Sequence, residues 1–191
     1  QRNASNMTLQ IKKRLLEVKE YHRMIDANIL SEDDRVELIH GEIIEMSPIK
    51  SFHASHVMRI NHFLSNIVDE EVIVNVQNPI LIPDYSEPEP DIALLKWDDD
   101  FYYEKHPQPA DVILLIEVAD SSLEYDQNIK LPLYATAQIP ECWIINLREK
   151  QIEVYQHPKN GLYKQRNIVQ AQDEIEITSL SLTFPAQKLL K

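Results

Sequence analysis

An apolar run that contains a single acid constrains the fold of this chain more than any other feature. Residues 112–118 read VILLIEV, and every one of them except Glu117 is apolar. Because side chains alternate between the two faces of a strand, a run that is apolar on both faces predicts a central, buried strand. Asp91 opens a second strand-like run, DIALL, directly after the kinked segment EPEP. If the two runs pair as antiparallel strands, Asp91 and Glu117 face each other at one edge of the sheet.

Two neighbouring carboxylates at a buried sheet edge need compensation. Burial and like-charge repulsion both disfavour the ionised forms. A divalent cation neutralises such a pair, and Mg²⁺ is usually held by one or two carboxylates with water in the other positions. The pattern therefore predicts a Mg²⁺ site at Asp91 and Glu117, with the carbonyl of Val118 as a further ligand and Mn²⁺ as a substitute ion.

Two more charged residues complete the predicted site. Lys130 lies at the start of a predicted helix, where its amine can orient or deprotonate an attacking water and offset charge on a phosphate. Glu37 lies in a short apolar strand and can support a metal directly or through water. Two carboxylates, a cation and a lysine suffice for hydrolysis of a phosphodiester bond. The alternatives are a turn cap for Asp91, a solvated strand end for Glu117, a solvated lysine for Lys130 and a salt bridge for Glu37.

The order of predicted elements indicates a mixed α/β (α+β) fold, in which helices flank a central mixed sheet and an antiparallel C-terminal extension follows. Hydrophobic spacing predicts helices over residues 9–28, 51–69 and 129–138. Predicted strands cover residues 36–46 with a turn at Gly41, then 72–82, 91–97, 112–118, 142–147 and 152–155, with shorter runs near 163, 175 and 182.

The length of 191 residues suits one domain, which we expect over residues 7–191. Residues 1–6 precede Met7 and are expected to be an expression remnant or a disordered tail.

Composition excludes several classes of protein. The two glycines, Gly41 and Gly161, cannot form a P-loop, a dinucleotide fingerprint or a serine-hydrolase elbow, so no nucleotide cofactor is expected. The single cysteine, Cys142, excludes an internal disulfide and predicts a cytoplasmic location. No apolar run reaches the roughly 20 residues of a membrane span, so no membrane association is expected. A net charge of −12 opposes non-specific attraction to nucleic acid, although a metal ion and clustered basic residues can offset it locally.

Three histidines, His53, His56 and His62, lie close together in a predicted helix. Their spacing matches no standard zinc motif and no cysteine lies nearby, so a zinc cluster is not expected. His53 is instead a surface histidine or a carboxylate or phosphate contact near the site.

Five ordered segments carry a resemblance to a known family. They are VELIHGE from residue 36, Pro90-Asp91, Ile116-Glu117-Val118, Lys130 with Tyr134-Ala135, and ECWIIN from residue 141. Their order and spacing resemble the Uma-type restriction endonucleases, abundant in cyanobacteria, within the PD-(D/E)xK nuclease superfamily, over about residues 21–188.

The resemblance implies a restriction-endonuclease-like core and Mg²⁺-dependent cleavage of DNA. It assigns Asp91 and Glu117 as metal ligands, Lys130 as the catalytic lysine and Glu37 as the acidic residue from the N-terminal part of the core. Small members of the superfamily often act as dimers, so a homodimer is expected by analogy.

One position departs from the superfamily pattern. The usual lysine lies two residues after the glutamate, and here that position is Ala119. Lys130 must therefore reach the site from the helix. Ala119 and the acidic balance favour an alternative, a catalytically lapsed nuclease fold that serves as a binding or scaffold module. A second alternative is a nuclease for RNA or for branched or single-stranded DNA. No basic recognition helix stands out, so sequence-specific readout is not predicted.

Overall fold

More of the described residues lie in strands than in helices, and six strands form one central sheet. The structure is a computed structural model that describes residues 12–31 and 33–190. In chain order its elements are α1 (Val18–Asp26), β1 (Val36–Ile39), β2 (Glu42–Glu45), α2 (Ser51–Ile67), β3 (Val72–Val76), β4 (Ile92–Lys96), β5 (Val112–Ala119), α3 (Leu123–Tyr125), a π-helical turn (Asp126–Lys130), α4 (Leu131–Thr136), β6 (Glu141–Asn146), β7 (Gln151–Lys159), β8 (Leu162–Gln170), β9 (Glu174–Ile177), β10 (Leu182–Pro185) and α5 (Gln187–Leu190).

The central sheet is mixed, with its strands in the order β3-β4-β5-β6-β7-β8. Strands β5 and β6 are parallel, and every other neighbouring pair in this sheet is antiparallel. A parallel pair requires a crossover connection, which here consists of α3, the π-helical turn and α4. The hairpins β1–β2 and β9–β10 form two further small sheets. This arrangement confirms the predicted mixed fold with helices and an antiparallel C-terminal extension.

Side chains of β5 alternate between two hydrophobic layers, one on each face of the sheet. Leu114, Ile116 and Val118 pack in a layer that includes residues of α2, β9, β10 and α5. Leu115 and Ala119 pack in the other layer, which includes residues of α4. Because β5 is buried along its whole length and side chains alternate, Glu117 enters the second layer, beside the crossover helix.

The first helix is shorter than predicted. It begins at Val18 rather than at residue 9, and residues 12–17 are not helical, while residues 9–11 lie outside the described part of the chain. The backbone N–H of Leu16 donates to the carbonyl of Gly41 at 2.9 Å. The N–H of Leu16 is therefore satisfied by the turn between β1 and β2, whereas the prediction had it bonded within the helix.

The crossover helix is longer than predicted. Helical structure begins at Leu123 rather than near residue 129 and continues through the π-helical turn into α4. Residues 120–128 are rich in Ser, Asp, Gln and Asn, which compete with helical hydrogen bonds, so the helix was predicted to begin only after them. Pro132 lies in the first turn of α4, which extends an existing helix instead of starting one.

Two smaller boundaries also differ from the prediction. Ser51, predicted as the N-cap of α2, is its first helical residue, and Lys50 occupies the cap position. The strand predicted over residues 72–82 ends at Val76, because Gln77 adopts a positive φ of 50° that does not continue a strand.

Within residues 12–31 and 33–190, no helix combines the length and the apolar character needed to cross a lipid bilayer. Residues 1–6 lie outside the described part of the chain, so the expectation for them is not addressed. The extent of a single domain over residues 7–191 stays a prediction.

Candidate active site

The antiparallel pairing of β4 and β5 brings Asp91 and Glu117 together. Ile92 pairs with Ile116 in the register, so Asp91, one residue before β4, lies opposite Glu117. The backbone N–H of Asp91 donates to Oε2 of Glu117 at 3.4 Å. Both side chains line one cavity of about 570 Å³. The juxtaposition that the two sequence runs predict is therefore present in the fold.

Asp91 is held by three donors. Its Oδ2 accepts the backbone N–H of Val118 at 2.8 Å and lies 3.1 Å from Nε2 of His53, and its Oδ1 accepts Nε2–H of Gln77 at 3.2 Å. Burial alone would raise the pKa of Asp91, but the hydrogen bond and charge of His53 and the N–H of Val118 lower it. Asp91 is therefore an anchored, ionised carboxylate. Val118 contacts the site through its N–H, whereas its carbonyl was the group predicted as a ligand.

His53 is a second partner of the site that the sequence offered only as an option. Its hydrogen bond to Asp91 raises the pKa of the imidazole against the opposing effect of burial. Its other ring nitrogen, Nδ1, is buried and has no hydrogen-bond partner within residues 12–31 and 33–190. His53 thus positions Asp91 through Nε2.

Glu117 is the most buried carboxylate of the pair, with 3% of the residue exposed. Its Oε1 accepts the hydroxyl of Tyr134 at 2.6 Å and lies 3.4 Å from Nζ of Lys130. Burial raises the pKa of Glu117 to about 8, and the charges of Asp126 and Asp91 act in the same direction, against Lys130. Without an added cation, this carboxyl group resists ionisation at neutral pH.

Lys130 reaches the site from the crossover helix, as the departure at Ala119 required. Its Nζ lies 3.3 Å from Oε2 of Glu37 and 3.4 Å from Oε1 of Glu117, and it donates to the carbonyl of Glu89 at 3.1 Å. Burial alone would lower the pKa of Lys130, but attraction to Glu117 and Glu37 outweighs it and raises the pKa. The ammonium is therefore charged and fixed between two acids.

Glu37 joins the site from β1, where it forms the salt bridge that was the alternative to metal support. Its Oε1 accepts the hydroxyl of Tyr125 at 3.0 Å, and its Oε2 accepts the backbone N–H of Glu89 at 3.0 Å and pairs with Lys130. The residue is 2% exposed. Its contacts make Glu37 a support for Lys130 within the structure as it stands.

Asp126 is a site residue that the sequence reasoning missed. It is buried in the π-helical turn, four residues before Lys130, and accepts the hydroxyl of Ser122 at 2.7 Å. Burial raises its pKa to about 6 against the attraction of Lys130. The spacing of four residues between Asp126 and Lys130 was a usable signal, because residues four apart share one face of a helix. It was overlooked because the helix was predicted to begin only at residue 129.

The profile of one protein family matches residues 18–188, which is most of the chain, and the family is described as "Uma2: Putative restriction endonuclease". This chain belongs to the Uma2 family. The Uma2 match spans the segments on which the sequence resemblance depends, and it includes all of the residues that line the cavity.

Among solved structures, this Uma2 chain is similar to a protein from Anabaena variabilis ATCC 29413 described as a putative nuclease belonging to DUF820. The TM-score is 0.70 at 16% sequence identity, over 92% of this chain and 97% of the other. At that identity the likeness establishes the fold. A search of curated proteins finds no significant match. Together, family and fold indicate a nuclease of the restriction-endonuclease-like kind.

Negative charge dominates the cavity of this Uma2 chain. Arg35 and Lys50 are exposed at its margin, and Lys130 is buried within it. The acids that line it outnumber these three cations: they are Glu37, Glu45, Glu89, Asp91, Glu117, Asp120 and Asp126. Such an excess is typical of a site that gains a cation, because buried like charges raise one another's free energy.

The donors at the cavity suit a hard cation. Asp91 and Glu117 offer carboxylate oxygens from adjacent strands, and Mg²⁺ commonly uses one or two carboxylates with waters. The histidines of α2 do not form a zinc cluster: His53 contacts Asp91, and Nδ1 of His56 donates to the carbonyl of Phe52 at 2.8 Å. In the described part of the chain, the group of three potential metal ligands that lie close together consists of His22, Glu87 and His106, outside the cavity.

Proposed function

We propose that this Uma2-family protein is a Mg²⁺-dependent endonuclease that hydrolyses phosphodiester bonds of DNA. The observation that carries the proposal is the meeting of Asp91, Glu117 and Glu37 with the single buried ammonium of Lys130 at one cavity. Gathering three carboxylates in a buried site is unfavourable for folding, so such a cluster is a functional-site candidate on physical grounds. Membership of the Uma2 family supports the same chemistry.

Asp91 and Glu117 are the proposed metal ligands, with the carbonyl of Val118 as a third. Bound there, Mg²⁺ would polarise a phosphoryl oxygen and lower the pKa of a water ligand. Three donors hold Asp91, and Tyr134 holds Glu117, so the two carboxylates are oriented before any ion arrives. This preorganisation reduces the rearrangement needed for binding.

Lys130 is the proposed catalytic lysine. Its fixed N–H groups can orient a water for attack on the scissile phosphorus, and its charge can offset the negative charge that develops on the phosphate. The ion pair with Glu37 and the hydrogen bond to the carbonyl of Glu89 position the lysine. In the hydrolysis, the water oxygen bonds to phosphorus and releases one proton to solvent, while the P–O bond to the leaving oxygen breaks and that oxygen takes up one proton from solvent.

The margin of the cavity supports a nucleic acid substrate. Arg35 and Lys50 are exposed there and can pair with phosphates on either side of the cleaved bond. Two phosphate contacts displace about two counterions, so binding at this margin should weaken only moderately as salt concentration rises. We further propose a homodimer, as superfamily analogy suggests, and its mass is measurable by sedimentation. A cytoplasmic location stays a prediction from the single cysteine.

The decisive experiment is a cleavage panel with labelled double-stranded, single-stranded and branched DNA and single-stranded RNA, in Mg²⁺, in Mn²⁺ and in EDTA. The variants are Asp91→Asn, Glu117→Gln and Lys130→Met, and the matched control is Glu153→Gln. Glu153 lies in β7, which β6 separates from β5. The residue is 2% exposed and does not line the cavity. We expect cleavage of double-stranded DNA that needs the metal, falls at least about 100-fold in the three site variants and persists in the control.

Mn²⁺ binding, measured by electron paramagnetic resonance, separates the metal site from catalysis. Mn²⁺ binding that depends on Asp91 and Glu117, without cleavage of any substrate, would support the proposed metal site and refute the proposed nuclease activity. Cleavage confined to RNA or single strands would refute the DNA substrate. Cleavage that persists in Glu117→Gln would show that the active site lies elsewhere.

A further inference from the structure

A second group of metal-ligand residues lies outside the cavity. His22, Glu87 and His106 each place a side-chain donor atom within 4.8 Å of the donors of the other two. None of the three lines the cavity that holds Asp91 and Glu117. We propose that these three residues form a separate binding site for Zn²⁺.

The three ligands come from parts of the chain that the backbone holds in place. Glu87 and Leu38 exchange backbone hydrogen bonds of 2.7 and 3.4 Å, which fix Glu87 against β1. His22 lies on α1. His106 precedes Pro107, whose carbonyl accepts the N–H of Leu81 at 2.8 Å. Convergence of segments distant in sequence on one point is what a preformed metal site requires.

Burial of Glu87 is the second observation that points to a cation. Its side chain is 3% exposed, and within residues 12–31 and 33–190 it makes one side-chain hydrogen bond, of 2.8 Å, to Nε2 of His22. A buried carboxylate is unfavourable unless it is paired with a charge or bound to a metal. His22 is 41% exposed and His106 is exposed, so an ion can enter from solvent and keep a water as its fourth ligand.

The chemistry of the donors selects the ion. Two imidazoles and one carboxylate form a set that Zn²⁺ uses in sites with an open fourth position, whereas Mg²⁺ prefers all-oxygen sets. Tetrahedral ligands at Zn²⁺ distances lie about 3.3 Å from one another. The observed separations, from 2.8 Å to at most 4.8 Å, bracket that value, so modest rotation of the exposed His106 side chain suffices.

A bound ion would link α1, the segment before β4 and the loop that carries His106. Glu87 lies four residues before Asp91 in the chain, so the ion would also steady the segment that leads into the candidate active site. Binding to the folded state alone raises Tm, by about 5–11 °C when Zn²⁺ is at a hundredfold excess over Kd.

The test is calorimetric titration of Zn²⁺ into metal-free protein without a histidine tag, in excess Mg²⁺. The variants are His22→Ala and His106→Ala. His106→Ala changes an exposed side chain and should leave the fold intact, and circular dichroism checks the fold of His22→Ala, which removes the hydrogen-bond partner of Glu87. The controls are His62→Ala, an exposed histidine of α2, and Asp91→Asn in the cavity. Co²⁺ in place of Zn²⁺ provides a visible absorption spectrum that reports tetrahedral coordination.

We expect one Zn²⁺ per chain, an affinity that falls at least tenfold in both His22→Ala and His106→Ala, and no change in either control. Equal affinity in wild type and the two histidine variants would overturn the proposal, as would loss of binding in Asp91→Asn, which would place the ion in the cavity. Absence of binding at 100 µM Zn²⁺, a level about tenfold above a weak site's Kd, would reduce the cluster to a histidine–glutamate hydrogen bond.

Discussion

Replacing Glu117 with glutamine should stabilise the metal-free protein while abolishing the proposed nuclease activity. The side chain keeps its shape, so the Tyr134 hydroxyl can still donate to the amide oxygen, and Lys130 keeps Glu37 as a partner. What disappears is a carboxyl group whose ionisation the fold opposes. Stability and activity should therefore change in opposite directions, as occurs where a site is built at the expense of the fold.

The size of the effect follows from the pKa. The pKa of the Glu117 carboxyl is about 8 in the folded chain, against an ordinary value of 4.5 for glutamate. A raised acid pKa means that the folded state binds more protons than the unfolded state, so this group's contribution to stability is fully present below pH 4.5 and is lost as pH rises to 8. From pH 4.5 to 7 is about 2.5 units at about 1.4 kcal/mol each, or about 3 kcal/mol.

The assay is urea or thermal unfolding, followed by circular dichroism from pH 4.5 to 8 in EDTA. At pH 7, Glu117→Gln should unfold about 6–12 °C above wild type, because about 3 kcal/mol corresponds to that shift at this chain length. Added Mg²⁺ should stabilise wild type, since the ion binds the folded state alone, and should leave the variant nearly unchanged.

Glu153 provides a control of opposite sign. Burial would raise its pKa, but hydrogen bonds from Tyr155 and Gln127 and the charge of Arg166 lower it. Its contribution is therefore present above the unfolded pKa and lost as pH falls, so Glu153→Gln should destabilise the protein at pH 7. Parallel pH profiles for wild type and Glu117→Gln in EDTA, or equal stabilisation of both by Mg²⁺, would refute the reasoning.

Three further predictions concern single contacts. Tyr134→Phe removes the 2.6 Å hydrogen bond to Glu117, so it should destabilise the fold by about 1–3 kcal/mol. Because that hydrogen bond lowers the pKa of Glu117, its loss should also shift Mg²⁺ binding to higher pH, which calorimetry at several pH values measures. An unshifted pH midpoint of Mg²⁺ binding would contradict this prediction. Lys130→Met leaves Glu37 and Glu117 without their shared cation, so it should lower the free energy of unfolding by about 3–5 kcal/mol at pH 8 in EDTA and by less at pH 5. A loss of stability that is the same at both pH values would contradict this prediction. Gly41→Ala should lower the free energy of unfolding in urea by about 1–3 kcal/mol, because Gly41 has a φ of +78° and an added Cβ would lie 2.6 Å from Cβ of Leu15. A variant as stable as wild type would show that the turn adjusts without strain.

The sequence was sufficient to predict the strands that carry the acids. Residues 112–118 are apolar on both faces, and only a central strand buries both faces at once. Antiparallel pairing with the run that follows Asp91 then fixed which acids meet. These inferences succeeded because they depend on periodicity and burial, which each short segment contains within itself.

The predicted helix boundaries were wrong where contacts with other segments determine where a helix begins. Leu16 is hydrogen-bonded to Gly41, 25 residues away, and no local pattern reports that contact. Residues 123–128 form helix although the polar residues of this stretch favour turns. The hydroxyl of Ser122, which precedes the helix, donates to Asp126 inside it, and both residues line the cavity. Asp126 was missed for the same reason, and the Glu87 group was missed because its three ligands have no sequence spacing in common.

The replacement of a strand lysine by Ala119 has a physical explanation in the packing of the crossover helix. Ala119 shares a face of β5 with Glu117 and is fully buried in the layer that contains Leu133 and Tyr134. A long charged side chain at that position would have to displace these residues from the core. The helix instead supplies the ammonium of Lys130 from the turn that precedes α4, while Tyr134 of α4 hydrogen-bonds Glu117. The same helix therefore fills the space beside the strand and delivers the charge, so the absence of a lysine after Glu117 is compatible with an intact site.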